Sequence, residues 1–192
     1  KIIRLLPKRR RSLFISATMP DSIIELAGTI LRNPKHVEVT PPATTVEKID
    51  QQVCHVSSTD KRSLLIDILE NHSDGLALVF TGMKHLANRI ADALEKNGIP
   101  AAAIHGNKSQ SARVRALESF RTGKIRVLVA TDIAARGIDV KGIDLVINFD
   151  LPNEPDSYVH RIGRTARAGT SGRSISFCDE KSQGLLRQIE KT

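Results

Sequence analysis

Two kinds of apolar segment alternate along this chain. Leu76-Ala77-Leu78-Val79-Phe80 and Val127-Leu128-Val129-Ala130 are apolar without interruption, whereas the stretches between such runs carry apolar residues at helical intervals. A continuously apolar strand must be covered on both faces, so the pattern predicts an α/β fold with a mostly parallel central sheet. It predicts strands over 49–56, 76–81, 101–104, 127–130, 145–149 and 174–177, and helices over 60–70, 84–97, 109–121, 156–162 and 181–191. Gly98 and Gly123 stand where helices close. Upstream, Leu13-Phe14-Ile15 reads as a short buried strand after the basic run Lys8-Arg9-Arg10-Arg11. Asp21 then opens a helix with apolar Ile23, Ile24, Ala27, Ile30 and Leu31. Between Asn33 and Val46 the periodicity dissolves into Pro34, Pro41-Pro42 and Thr44-Thr45, which predicts a linker over 41–46 between residues 1–40 and a domain of residues 47–192.

In a parallel sheet, chemistry collects beyond the carboxyl ends of the strands. The residues there are Thr81-Gly82, His105-Gly106, Thr131-Asp132 and Asp150, all polar or small. Charge adds a partner class. Lys and Arg number 29 against 21 acidic residues, a net charge of +8, which fits a polyanion such as nucleic acid or, more blandly, a generic basic protein. With no Trp and one Tyr, base stacking has few aromatics to draw on. Cys54 and Cys178 share no short spacing and read as buried thiols of a reducing compartment. His36, His55, His72 and His85 form no ligand spacing, so no metal site is expected within the chain. No apolar run reaches the ~20 residues that span a bilayer, and the first residues lack a signal peptide's pattern, so a cytoplasmic location without membrane attachment is expected.

The densest candidate chemistry is His160-Arg161-Ile162-Gly163-Arg164-Thr165-Ala166-Arg167. Asp156-Ser157-Tyr158-Val159 reads as a helix start, and continued helically it projects Arg161, Arg164 and Arg167 from one face. Three adjacent guanidiniums repel unless an anion lies among them. A nucleotide triphosphate is the natural candidate, because Arg donates in planar pairs and stabilises charge on a transferred phosphoryl group. A solvated charged face is the alternative.

Read in order, Ser16-Ala17-Thr18, Phe80-Thr81, His105-Gly106 with Gln110-Ser111-Ala112-Arg113, Thr131-Asp132-Ile133-Ala134-Ala135-Arg136-Gly137-Ile138-Asp139 and His160–Arg167 resemble the carboxyl-terminal motif series of DEAD-box RNA helicases. The Ala135–Asp139 segment and the final arginine motif carry most of that specificity, and the wording from Ala102 to Gln110 resembles the bacterial RhlE-type branch. The resemblance implies a RecA-like three-layer sandwich. It also implies that ATP and Mg2+ are held mainly by a first RecA-like domain, of which residues 1–40 are the last piece. Neither a phosphate loop nor an Asp-Glu-Ala-Asp sequence occurs in the chain, so the chain alone is expected to be inactive.

Carried over position by position, the resemblance implies arginine fingers at Arg164 and Arg167, linking roles for His160 and Arg161, and nucleotide contacts at Gly137 and Asp139. It places RNA contacts at Gly106, Arg113 and Thr131, and coupling at Ser16 and Thr18. Backbone amides, hydroxyls and an Arg suit phosphate oxygens and carry no sequence specificity. Asp139 as a plain turn residue, Arg113 on a solvated face, and Ser16 and Thr18 as helix caps remain alternatives. Ala166 stands where the family commonly has Gly, with little effect expected, and Met83 stands near a usual Thr, with Thr81 a possible substitute. The function implied is ATP-driven closure of two domains that unwinds short RNA duplexes or remodels RNA–protein complexes. A non-enzymatic RNA-binding or partner-docking module, and a related DNA translocase, are the rivals.

Overall fold

The computed structural model describes residues 2–7, 9–16, 19, 21–38, 49–72, 74–135, 138–166 and 171–191. The chain divides into two compact units, residues 1–41 and 42–192. The predicted linker, 41–46, lies outside the described residues.

The first unit contains a 3-10 turn, Ile2–Leu5, and helix α1, Asp21–Ile30, with Asp21 in its first turn. There the acidic side chain complements the positive helix end. The strand predicted at Leu13–Ile15 is not formed: residues 11–16 have no regular structure, and Leu13 and Ile15 are 92% and 88% exposed. A strand persists only when a neighbour pairs its N–H and C=O groups. Among the described residues of this unit there is no second strand.

The second unit is a six-stranded sheet of β1 Ile49–His55, β2 Leu76–Phe80, β3 Ala101–Ile104, β4 Val127–Ala130, β5 Ile143–Asn148 and β6 Gly172–Cys178. Its order is β1-β6-β5-β2-β4-β3, and every pair is parallel. The helices are α2 Lys61–Asn71, α3 Lys84–Lys96, α4 Gln110–Arg121, α5 Asp132–Ala135, α6 Pro155–Ile162 and α7 Gln183–Ile189. Alternate residues of one strand feed opposite cores, which is why the strands read as unbroken apolar runs. Ala77 and Val79 pack with Leu65 and Leu69 of α2 and Ile90 and Leu94 of α3. Leu78 and Phe80 pack on the other face with Phe120 of α4 and Ala134 and Ala135 of α5. Each large aliphatic or aromatic side chain so buried contributes about 1.5–3 kcal/mol.

Three local departures have physical causes. The last predicted helix splits, because Asp179 caps a 3-10 turn, Glu180–Ser182, by accepting the Ser182 N–H at 2.9 Å before α7 begins. The four-residue α5 is too short to show a period. β5 starts at Ile143, earlier than predicted, where Asp144 holds the Leu76 N–H at 3.1 Å. That contact leaves no room for a Cβ at Gly75, whose φ of +93° also favours glycine.

From β2 the chain moves outward to β3, whereas from β5 it moves to β6 on the opposite side. The switch point therefore lies between β2 and β5, where open parallel sheets form their ligand crevice.

Candidate nucleotide and RNA site

A polar node at the switch point joins Thr81, Gly82 and Asp150, which the sequence placed there, to Lys61 and Asp179, which it did not. Asp150, just past β5, accepts hydrogen bonds from Thr81 Oγ1 and the Gly82 N–H, both at 2.9 Å. Lys61, the first residue of α2, is only 4% exposed. Its Nζ lies 3.6 Å from Asp150 and 2.8 Å from Asp179, and 5.7 Å from the Phe149 ring centre. The Lys61 ammonium, and secondarily the Ser182 hydroxyl, hold the Asp179 carboxyl down at about 2. A lone Lys at a helix start reads as solvated, so only the convergence of β2, β5 and β6 reveals this ion cluster.

The arginine row does not form as predicted. Helix α6 begins one residue early with Pro155 at its first position and ends at Ile162. The chain then turns tightly, with N–H groups of Gly163, Arg164 and Thr165 bonded to carbonyls of Val159, Arg161 and Ile162. Tertiary anchoring overrides helix continuation here: buried Thr165 donates its hydroxyl to Ile143 O at 2.5 Å. A Cβ on Gly172 would overlap both Thr165 and the Ala166 N–H, so β6 approaches this turn only as glycine. Ala166 has φ +53°, in the left-handed region. The alanine-for-glycine departure is thus one of backbone strain rather than of helix propensity, and little effect is no longer expected.

The guanidiniums consequently part. Arg161 is 3% exposed and grips Asp132 with two bonds, Nε to Oδ1 at 2.6 Å and Nη2 to Oδ2 at 2.9 Å. Its Nη1 reaches Asn148 Oδ1 at 3.1 Å and Asp150 O at 2.6 Å, and the group lies 5.0 Å from the Phe80 ring centre. Arg164 instead donates Nη1 to Ile138 O at 3.1 Å and Nε to His160 O at 3.2 Å. That seats it next to exposed Asp139 in the chain, joining two of the sequence candidates. His160 is exposed on α6. Arg167 and Gly137 lie outside the described residues.

A second group of candidates lines the ends of β3 and β4. Thr131 is buried, receives Ala134 and Ala135 N–H groups on its carbonyl at 3.0 and 2.9 Å, and ties its own N–H to Ile104 O at 3.4 Å. Gly106 is exposed, and a Cβ there would stand 3.9 Å from Lys84 Nζ. Lys84 also donates to Asn107 Oδ1 at 2.9 Å. This cation beside Gly106 was missed because 22 positions of sequence separate the pair. His105 accepts the Asn107 N–H on Nδ1 at 3.3 Å, which leaves Nε2 to donate to Asn88 Oδ1 at 3.1 Å. Burial first, then Lys108 and Lys84, lower its pKa. Arg113, half-buried on α4, donates Nη1 to Gln110 Oε1 at 3.3 Å, and its buried Nε has no partner among the described residues. Thr81 does not stand in for Met83: its hydroxyl is fully buried and spent on Asp150, while Met83 is 54% exposed. Ser16 is exposed in the first unit, and Thr18 lies outside the described residues.

Among the described residues no three His, Cys, Asp or Glu side chains gather into a cluster that could hold a metal ion. No described helix is long and apolar enough to cross a membrane.

Comparison with known proteins bears on this geometry. Residues 60–169 match the family described as helicase conserved C-terminal domain. The chain is 42% identical over 191 residues to the DEAD-box ATP-dependent RNA helicase CshA of Bacillus subtilis, covering 100% of this chain and 39% of that protein. It is also 42% identical over 190 residues to the ATP-dependent RNA helicase DbpA of B. subtilis, covering 99% of this chain and 40% of that one. The chain thus spans about two-fifths of these relatives' length. Neither name supports the RhlE-type branch. Among solved structures, S. cerevisiae Dbp5 bound to RNA and ADP BeF3 matches with a TM-score of 0.87 at 32% identity, over 99% of this chain and 51% of that one. E. coli SrmB bound to regulator of ribonuclease activity A matches with a TM-score of 0.71 at 35% identity, over 74% and 85%. The parallel sheet with helices on both faces is the RecA-like fold of these carboxyl-terminal domains, and the chain belongs to the helicase conserved C-terminal domain family, in the form carried by DEAD-box RNA helicases.

Proposed function

We propose that this chain is the carboxyl-terminal portion of an ATP-dependent RNA helicase, with residues 47–192 its second RecA-like domain and residues 1–40 the end of its first. ATP binds between the two domains, and the first domain supplies the phosphate loop and the magnesium carboxylates. Arg164 and Arg167 reach the γ-phosphate as the cleft shuts, and Asp139 and Gly137 meet the ribose side. Arg161 acts as a positioning residue: its buried pair with Asp132 and bonds to Asn148 and Asp150 fix where the following turn presents Arg164. His160 links that turn to the first domain. Gly106, Thr131 and Arg113, joined by Lys84, hold RNA phosphates. Ser16 and Thr18 couple the two events. Because RNA and ATP each touch both domains, each tightens the other by the same factor.

The observation that carries this reading is the seat of Arg164 on Ile138 O, beside Asp139, while Arg161 is locked away. The test restores the amino-terminal RecA-like domain and measures RNA-dependent ATP turnover with native protein and Arg164→Ala. The expected result is strong RNA stimulation that falls on the order of a thousandfold in the variant while nucleotide binding survives. Unchanged turnover would reject Arg164 as a finger and favour an RNA-binding module.

A further inference from the structure

We infer that the open edge of β3 is a docking groove for an extended peptide of another protein, one whose side chains alternate basic and acidic. Strand β3 ends the sheet and is hydrogen-bonded on one side only, to β4. The Pro100 and Ile104 carbonyls accept N–H groups of Arg126, Val127 and Thr131 on that side. In a parallel ladder successive residues bond to opposite sides, so Ala101 and Ala103 turn their N–H and C=O groups to the open edge. Helices α3 and α4 stand beyond that edge on the two faces, and β3 forms the floor of a groove of about 470 Å³ between them. The floor residues Ala101, Ala102 and Ala103 carry only methyl groups, so another backbone can approach to pairing distance.

Charge selects the occupant. The α3 wall carries Asp92 and Glu95, and the opposite wall carries Lys108 and Arg115. None of these four makes an ion pair with another described residue. A strand added to this edge points alternate side chains at the two walls, basic ones toward Asp92 and Glu95 and acidic ones toward Lys108 and Arg115. A second copy of the chain fits poorly. Antiparallel pairing of two β3 edges about a two-fold axis normal to the sheet keeps each face on its own side. It sets the acidic wall against its own copy and the basic wall against its own copy. RNA is disfavoured by the acidic wall.

The probe is a capped seven-residue peptide of alternating lysine and glutamate, titrated into the 15N-labelled 192-residue chain. A peptide of the same composition in block order is the control. Saturable amide shifts at Ala101, Ala103 and both helical walls are expected, with binding about tenfold weaker for the block peptide, an alternation lost. Proline is tolerated on an edge where the N–H faces outward, so Ala103→Pro removes one pairing donor without breaking the β4 ladder. It should weaken binding about tenfold, the worth of one hydrogen bond. Asp92→Lys with Glu95→Lys gives a second, surface-only variant that should lose the alternating peptide to a similar degree. Equal binding of the block peptide, no saturable binding, shifts away from β3, or indifference to both variants would overturn the inference. So would displacement by single-stranded RNA, or self-association through this edge.

Discussion

Arg161 shows how one side chain can be read correctly by type and wrongly by place. Its charge pointed to an anion, and the anion is Asp132, a partly exposed carboxylate that the buried guanidinium grips by two parallel bonds. Lys offers a point charge and no planar fork, so Arg161→Lys should lose about 2–4 kcal/mol of stability, read as a fall in the urea midpoint. Ala166 is a smaller case. The left-handed backbone costs about 1–2 kcal/mol, and its methyl, packed near Ile49 and Ile162, returns at most about 0.8 kcal/mol. Ala166→Gly should therefore gain up to about 1 kcal/mol in the same measurement. His105 makes a pH prediction. Its folded pKa lies below the ordinary 6.5, so its contribution is present above that value and lost as pH falls below it. Stability should fall as pH drops below about 6.5, and His105→Gln should flatten that fall.

At the scale of elements, the ion cluster at the start of α2 is a clasp among the ends of β2, β5 and β6. Lys61→Met removes the cation that bridges Asp150 and Asp179 and should cost about 3–5 kcal/mol, since two carboxylates are left facing each other. Asp179 has a folded pKa of about 2 against an ordinary 3.8. Its contribution is complete above the ordinary value and is lost as pH falls through the folded one, a limb that Lys61→Met should shrink in acid unfolding, leaving the part due to Ser182. The same Asp150 carboxylate also holds the Thr81–Gly82 loop by two bonds. The element α6 teaches the converse lesson. Three-residue spacing promised a continuing helix, but Thr165 gains more by bonding to the start of β5 than by extending the helix, and the row of guanidiniums breaks there.

At the scale of the molecule, the proposed division of labour makes this chain an incomplete engine. ATP turnover should be absent from the chain by itself and appear only when the first domain is restored. RNA binding should weaken with salt, the log–log slope shrinking by about 0.7 for each phosphate contact removed, as in Arg113→Ala or Lys84→Ala. A slope unchanged by both variants would move the RNA surface elsewhere. The sequence by itself determined the layer structure. Strands apolar on every residue require helices on both faces, and the glycine and polar punctuation placed the loops at the carboxyl ends. It also named the residue types of the site, because guanidiniums, carboxylates and hydroxyls carry their chemistry with them. What only the tertiary structure decided is which of those groups meet. Asp132 sits 29 positions from Arg161, Asp179 far from Lys61, and Ile138 far from Arg164, and no local period encodes such pairs. The strand predicted at Leu13–Ile15 failed for the same reason: a strand is a relation between segments, and one segment's pattern cannot supply its partner.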